Sequence, residues 1–270
     1  MATSSAQAGQ GLSRLRQSFG FRTGARVGYL VAGLLHILIG ILAITVALGG
    51  GGQADQSGAL ATIAQNPGGA LLLWIIVVGL VALGLWQVLE ALTVSDPDRK
   101  KRVGKRVKEA GKAIAYLAIG LTALRFATGG GESSEQSAEG AAAGLLASPL
   151  GVAAVLAVAL IAIGIGVAFI ASGVRKKFLE HVSVPPGGAG RAVPLLGQVG
   201  YVAKGVAVVV IGLLFGAAAF THDPNRAGGL DGALKALAAL PFGVVVLVVV
   251  GLGFVAYGLF FFVRAWRPRF

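Results

Sequence analysis

The chain has 270 residues, of which 56% are hydrophobic and 13% charged, with a mean hydropathy of +0.81 and a formal net charge of +12. So small a charged fraction, about half that of an ordinary soluble domain, excludes a single water-bathed globule. There is no cysteine, which excludes disulfides, thiolate catalysis and cysteine-ligated metals.

Residues 1–21 read as a basic leader carrying Arg14 and Arg16, with Leu12, Leu15 and Phe19 on one helical face. A short helix lying on the membrane surface is the alternative reading of that stretch. Six apolar runs follow, at Val27–Leu48, Ala70–Thr93, Ala110–Thr128, Leu150–Val174, Leu196–Phe220 and Phe242–Trp266. Each can cross a hydrocarbon core of roughly 30 Å, which takes about 20 helical residues. The runs lack the two-residue alternation of barrel strands. The fold class is therefore all-α: a polytopic membrane protein with six transmembrane helices.

The basic residues sit before span one, between spans two and three, between four and five, and after span six. The largest group is Arg99, Lys100, Lys101, Arg102, Lys105, Arg106 and Lys108. The alternate loops carry Asp55, Glu132, Glu135, Glu139, Asp223 and Asp231 against only Arg226 and Lys235. This positive-inside pattern places both termini and the even-numbered loops in the cytoplasm. It also explains the net charge without nucleic acid, and makes anionic lipid headgroups at the cytoplasmic face the expected partner of the basic loops.

A signature recurs three times: GALATIAQNPGG from Gly58, GAAAGLLASPLG from Gly140 and GALKALAALPFG from Gly232. Around it, Gly28, Gly33 and Gly40 correspond to Gly200, Gly205 and Gly212. Gly84, Gly166 and Gly258 each fall seventeen residues after Pro67, Pro149 and Pro241. The chain divides into repeat units over 22–98, 99–178 and 191–270, with a flexible linker over 179–190. Each unit is a span, an outer elbow with a short helix, and a returning span. Two spans per unit make the three helical hairpins parallel, and a pseudo-threefold bundle is their simplest arrangement, with a row as the alternative. Ser57, Asp231 and Glu139 are expected to support the short helices at their N-terminal ends. The prolines are expected to stop those helices and open the next span.

The recurring Arg26-Val27-Gly28-Tyr29, Gly40, Gly58-Ala59-Leu60, Pro67 and Gly84 resemble the bacterial membrane family catalogued as domain of unknown function 1206. The resemblance covers about Arg22 to Arg267 and implies three tandem two-span units. It brings no activity, cofactor or catalytic residue. The middle unit departs from the pattern, with Lys108 in place of Gly28/Gly200 and Ala113 in place of Gly33/Gly205, which predicts different packing for its first helix.

Ionisable residues within spans are expensive and mark candidate sites. Here they are His36, Glu90, Arg125 and Lys204. His36 is placed to titrate near neutrality or to pack by hydrogen bonding. Glu90 and Lys204 approach the same side and are paired on paper, with Arg264 as another partner for Glu90. Arg125 is expected to snorkel towards Glu132 or Glu135. No HExxH, P-loop or nucleophile–histidine pairing is present, so neither an enzyme nor a cofactor or metal site is expected. Two functions fit: a non-enzymatic accessory or structural protein with a membrane-protein partner, or a small channel or transporter lined by Glu90, Lys204, His36 and Tyr116.

Overall fold

The computed structural model of the chain describes residues 19–184 and 187–267; the basic leader up to residue 18 lies outside them. Among the described residues there are nine α-helices and no strand. They are α1 (Phe19–Ala47), α2 (Gln56–Ala64), α3 (Gly69–Thr93), α4 (Arg99–Ala127), α5 (Ser134–Leu146), α6 (Pro149–Val174), α7 (Gly188–Thr221), α8 (Gly229–Ala238) and α9 (Gly243–Trp266). Six of them, α1, α3, α4, α6, α7 and α9, are long and apolar enough to cross a membrane.

The helices group into two compact units. Unit 1 takes the chain up to Ala32 together with Ile63–Gly130; unit 2 takes Gly33–Thr62 and the chain from Gly131. α1 thus runs through both.

In unit 1, α1 lies on α3. A Cβ at Gly28 would strike the Gly79 carbonyl and the Leu83 side chain. α3 in turn lies on α4, where Gly84 accommodates Leu117 and Gly120 faces Leu80 and Val81. In unit 2, α6 meets α7 where Gly166 and Gly205 each face the other's carbonyl oxygen, and where Gly212 sits against Ala159 and Ile163. α7 meets α9 at Gly200 and Tyr257, and α9 meets α1 at Gly258 with Gly33 and at Gly251 with Gly40.

These contacts follow the repeat. The second span of each repeat packs on the first span of the next, and the third repeat packs on the first. The matching trios are Gly84 with Leu117, Gly166 with Val209 and Gly258 with Ile37; and Gly120 with Val81, Gly212 with Ile163 and Gly40 with Val255. The driving force is close packing, because lipid tails give apolar helices no hydrophobic reason to associate. Removing a Cβ lets the backbones approach and gains dispersion contacts on both sides.

The elbows also share one geometry. In each Pro-x-Gly the glycine, Gly69, Gly151 or Gly243, lies on the last turn of the preceding short helix. A Cβ there would overlap the carbonyl of Ile63, Leu145 or Ala238. The prolines are less uniform than their spacing. Pro149 is the first residue of α6 and Ser148 caps that helix, accepting from the Gly151 amide at 3.1 Å. Pro67 and Pro241 precede residues in the left-handed region, Gly68 (φ 78°) and Phe242 (φ 60°), which themselves cap α3 and α9.

Several expectations are corrected. α2 is capped by Asp55, whose Oδ1 accepts from the Gly58 amide at 2.8 Å, and Ser57 lies inside the first turn. α5 begins at Ser134 under a Ser133 cap, so Glu139 is mid-helix and Glu135 occupies the first turn. α4 starts at Arg99, well before the apolar run at Ala110, because Asp98 caps it through the amides of Lys100 and Lys101. The 179–190 linker is partly structured. A 3-10 turn, Lys177–His181, buries Phe178 against Gly197, and Gly188 already belongs to α7. Pro185 and Pro186 lie outside the described residues. The different packing expected of the middle repeat is present: Lys108 is exposed where Gly28 and Gly200 are buried.

Candidate functional site: a buried lysine–histidine pair

Of the intramembrane ionisable residues, His36 and Lys204 are brought together. The Lys204 Nζ lies 3.0 Å from His36 Nε2, although the residues are 168 positions apart. His36 is 7% exposed and stands eleven residues before the end of α1, about 16 Å along the helix at 1.5 Å per residue. Its ring is edge-on to Tyr257, with centroids 4.9 Å apart, and stacked on Phe261 and Phe254 at 5.7 and 6.1 Å. The Lys204 ammonium also stands 4.8 Å from the Tyr257 ring centre and 5.4 Å from that of Phe169.

The sequence makes this meeting through the glycine seams. Gly33 and Gly40 bracket His36 on α1 and fit it against α9. Gly205, the neighbour of Lys204, holds α7 against α6, from which Phe169 projects. Chemically the pair has one defined polarity. An ammonium group has donors only, so a charged Lys204 requires Nε2 as acceptor and places the imidazole proton on Nδ1. The ring faces of Tyr257 and Phe169 attract the cation further.

Glu90 and Arg125 belong to unit 1, and Arg264 to unit 2. Glu90 is half-buried near the end of α3, and its carbonyl accepts from the Val94 amide at 3.0 Å. Arg125 is exposed in the last turn of α4, where a cation suits the negative end of the helix dipole. Lys112, the repeat counterpart of Lys204, pairs with Glu109 at 2.8 Å on its own helix. Arg264 is 9% exposed, with its guanidinium 5.8 Å from the Phe261 ring.

A second polar cluster, which the sequence reading missed, joins the three elbows. The Ser57 hydroxyl donates to Asp55 Oδ1 at 2.9 Å and accepts from the Ser134 amide at 2.8 Å, tying the first elbow to the second. Asp231 Oδ1 accepts from the Ala54 amide at 2.7 Å, tying the third to the first. Lys235 stands 2.6 Å from Asp231 Oδ2 and 3.1 Å from Glu135 Oε2, tying the third to the second. Asp55, Ser57 and Asp231 are all buried to within 1%. Lys235 has its pKa raised, chiefly by Asp231 and also by Glu135. The available signal is Asp55-Gln56-Ser57-Gly58 at the head of a short helix, whose side chains cap locally and also reach the other elbows.

Comparison with known proteins agrees with the repeat. The family described as Domain of Unknown Function (DUF1206) matches at residues 27–94, 107–176 and 199–267. The chain is 32% identical over 248 residues, 87% of its length, to "Uncharacterized protein YxxB" of Bacillus subtilis (strain 168), covering 86% of that protein. No solved structure matches.

Proposed function

The chain belongs to the DUF1206 family, a membership that carries no activity with it, and we propose that it is a non-enzymatic accessory or structural subunit of a complex in a bacterial plasma membrane. The observation carrying this reading is the repeated seam of backbone-to-backbone contacts, locked at one end by the elbow cluster. Such a scaffold suits holding a partner better than alternating access, which needs elements with two packings. The His36–Lys204 pair then clamps α1 to α7 inside unit 2. The basic loops face the cytoplasm, as the charge bias favours.

The surface offered to a partner is the exposed face of α6, where Val158, Ile161, Gly164 and Ile165 are exposed and Gly164 has nothing within 4 Å of where a Cβ would stand. A photo-crosslinking side chain at Ile161, in native membrane, should give one stoichiometric protein adduct. Lipid adducts alone would overturn the accessory role.

The His36–Lys204 pair favours a second reading, a small channel or transporter for protons or anions. In proteoliposomes this reading requires a flux that Lys204→Met abolishes. Sealed vesicles with no flux above protein-free controls would dismiss it.

A further inference from the structure

The stem of α4 that precedes its apolar stretch, from Arg99 to Lys108, has two unlike faces. On one, acidic residues meet the cations. Asp96 accepts from Lys105 Nζ at 2.8 Å, its carbonyl accepts from Arg102 at 3.3 Å, and Glu109 pairs with Lys112 at 2.8 Å. Lys105 also holds the Asp96 carboxyl below its ordinary pKa. On the other face Val103 and Val107 are 51% and 66% exposed. At 100° per residue they share a stripe with Ala110, Ile114 and Leu121 further along the helix, and Ile114 and Leu121 are 70% and 54% exposed. Arg99 and Arg106 flank this stripe on one side and Lys100 on the other, all exposed and outside those ion pairs, whereas Lys108 falls on the side of Lys105 and Lys112.

We infer that this face of α4 is a binding site for an anionic phospholipid, with the headgroup phosphate between Arg99, Lys100 and Arg106 and an acyl chain along Val107, Ile114 and Leu121. The two halves of the site match the two halves of such a molecule. Three cations outside those ion pairs sit where an apolar stripe emerges from the bilayer, while Asp96 and Glu109 pair with Lys105 and Lys112 on the opposite face. A soluble phosphate would use the cations and leave the valines bare to water. Long arginine and lysine side chains reach a headgroup layer while their stems stay on apolar surface. Each such cation near an anionic surface contributes about a fivefold gain in binding. The inference rests on the membrane reading of the proposed function and is independent of the partner.

The test uses the full chain in detergent, titrated with phosphatidylglycerol or phosphatidylcholine and read by native mass spectrometry. The wild type should prefer phosphatidylglycerol, and Arg99→Gln/Lys100→Gln/Arg106→Gln should lower that preference by roughly a hundredfold. Arg106→Lys should keep it. The control Arg175→Gln/Lys176→Gln/Lys177→Gln, at exposed cations following α6, should leave it within about twofold of the wild type. Equal losses in the two triple variants, or no preference in the wild type, would overturn the site. Displacement of the lipid by millimolar inorganic phosphate would reduce it to a phosphate site and overturn the acyl-chain half. A preference lost while the α6 adduct persists leaves the accessory reading standing; the converse result separates them the other way.

Discussion

Asp231 is the residue on which the elbow cluster turns. It is buried to 1% on the third elbow, yet one oxygen serves the Ala54 amide and the other faces Lys235. Removing the partner of a buried charge costs more than the pair contributes, because the remaining charge is stranded. Lys235→Ala should therefore destabilise the protein by about 1–3 kcal/mol, below the fully buried range because the lysine side chain is 49% exposed. Lys235→Ala/Asp231→Asn should recover part of that, since an amide needs no counter-charge and can still accept from Ala54. Thermal unfolding in one detergent at fixed pH measures both. The pH dependence follows from the sign of the shift. A raised lysine pKa means stability fully present below the unfolded value near 10.4, and lost as pH climbs through the higher folded value. Between pH 6 and 9 the wild type should show no loss from Lys235, and the difference between wild type and Lys235→Gln should shrink only above about pH 10.

At the scale of the helix, two glycines two residues apart on α6 have opposite meanings. Gly166 lies on the Gly205 carbonyl and Val209, whereas Gly164 faces open space. Gly166→Leu should cost about 3 kcal/mol or more, because backbone on the far side cannot yield as a side-chain tip can. Gly164→Ala should be neutral or stabilising by up to about 1 kcal/mol from helix propensity alone. Melting temperatures and the monodispersity of the two purified variants provide the measurement, and equal behaviour would refute the seam. The same contrast shows what the sequence could convey. Spacing identified Gly84, Gly166 and Gly258 as equivalent and the six spans as helices, because period and length depend on local chain geometry. It could not tell Gly164 from Gly166, since the difference lies in which neighbour each faces. Caps were misplaced for a related reason. Asp55, Ser57 and Ser133 are all competent caps, and the choice among them is made by the elbow cluster. The meeting of Lys204 with His36 is equally hidden in the sequence: both stand out as costly intramembrane groups, but spacing along one helix does not say which other span it faces.

For the molecule as a whole, the repeat makes a demand that can be tested by chemistry. If equivalent seams occur at all three repeat junctions, the third repeat must meet the first, although the two spans concerned are far apart in the chain. Gly251 and Ile44 mark that junction: a Cβ at Gly251 would come 2.8 Å from Ile44 Cγ1. Ile44→Cys trims that branch and Gly251→Cys supplies the second thiol, in a chain that has no other cysteine; the Gly40 carbonyl, also 2.8 Å from a Cβ at Gly251, must yield slightly. β-Carbons of bonded cysteines stand about 3.5–4.5 Å apart, a separation this contact admits. Mild oxidation in native membrane should therefore give an intramolecular disulfide in most molecules, detected by peptide mass spectrometry as a bridge between α1 and α9. Moving the first cysteine to Ile41, which is 49% exposed on the same helix, should abolish the bridge while leaving chain separation almost unchanged. Cross-linking that is equal for both positions would mean that proximity in the membrane plane, and not the seam, brings the thiols together. Failure at both, in variants that purify as monodisperse as the wild type, would mean that the three junctions are not equivalent and that the last repeat does not pack on the first.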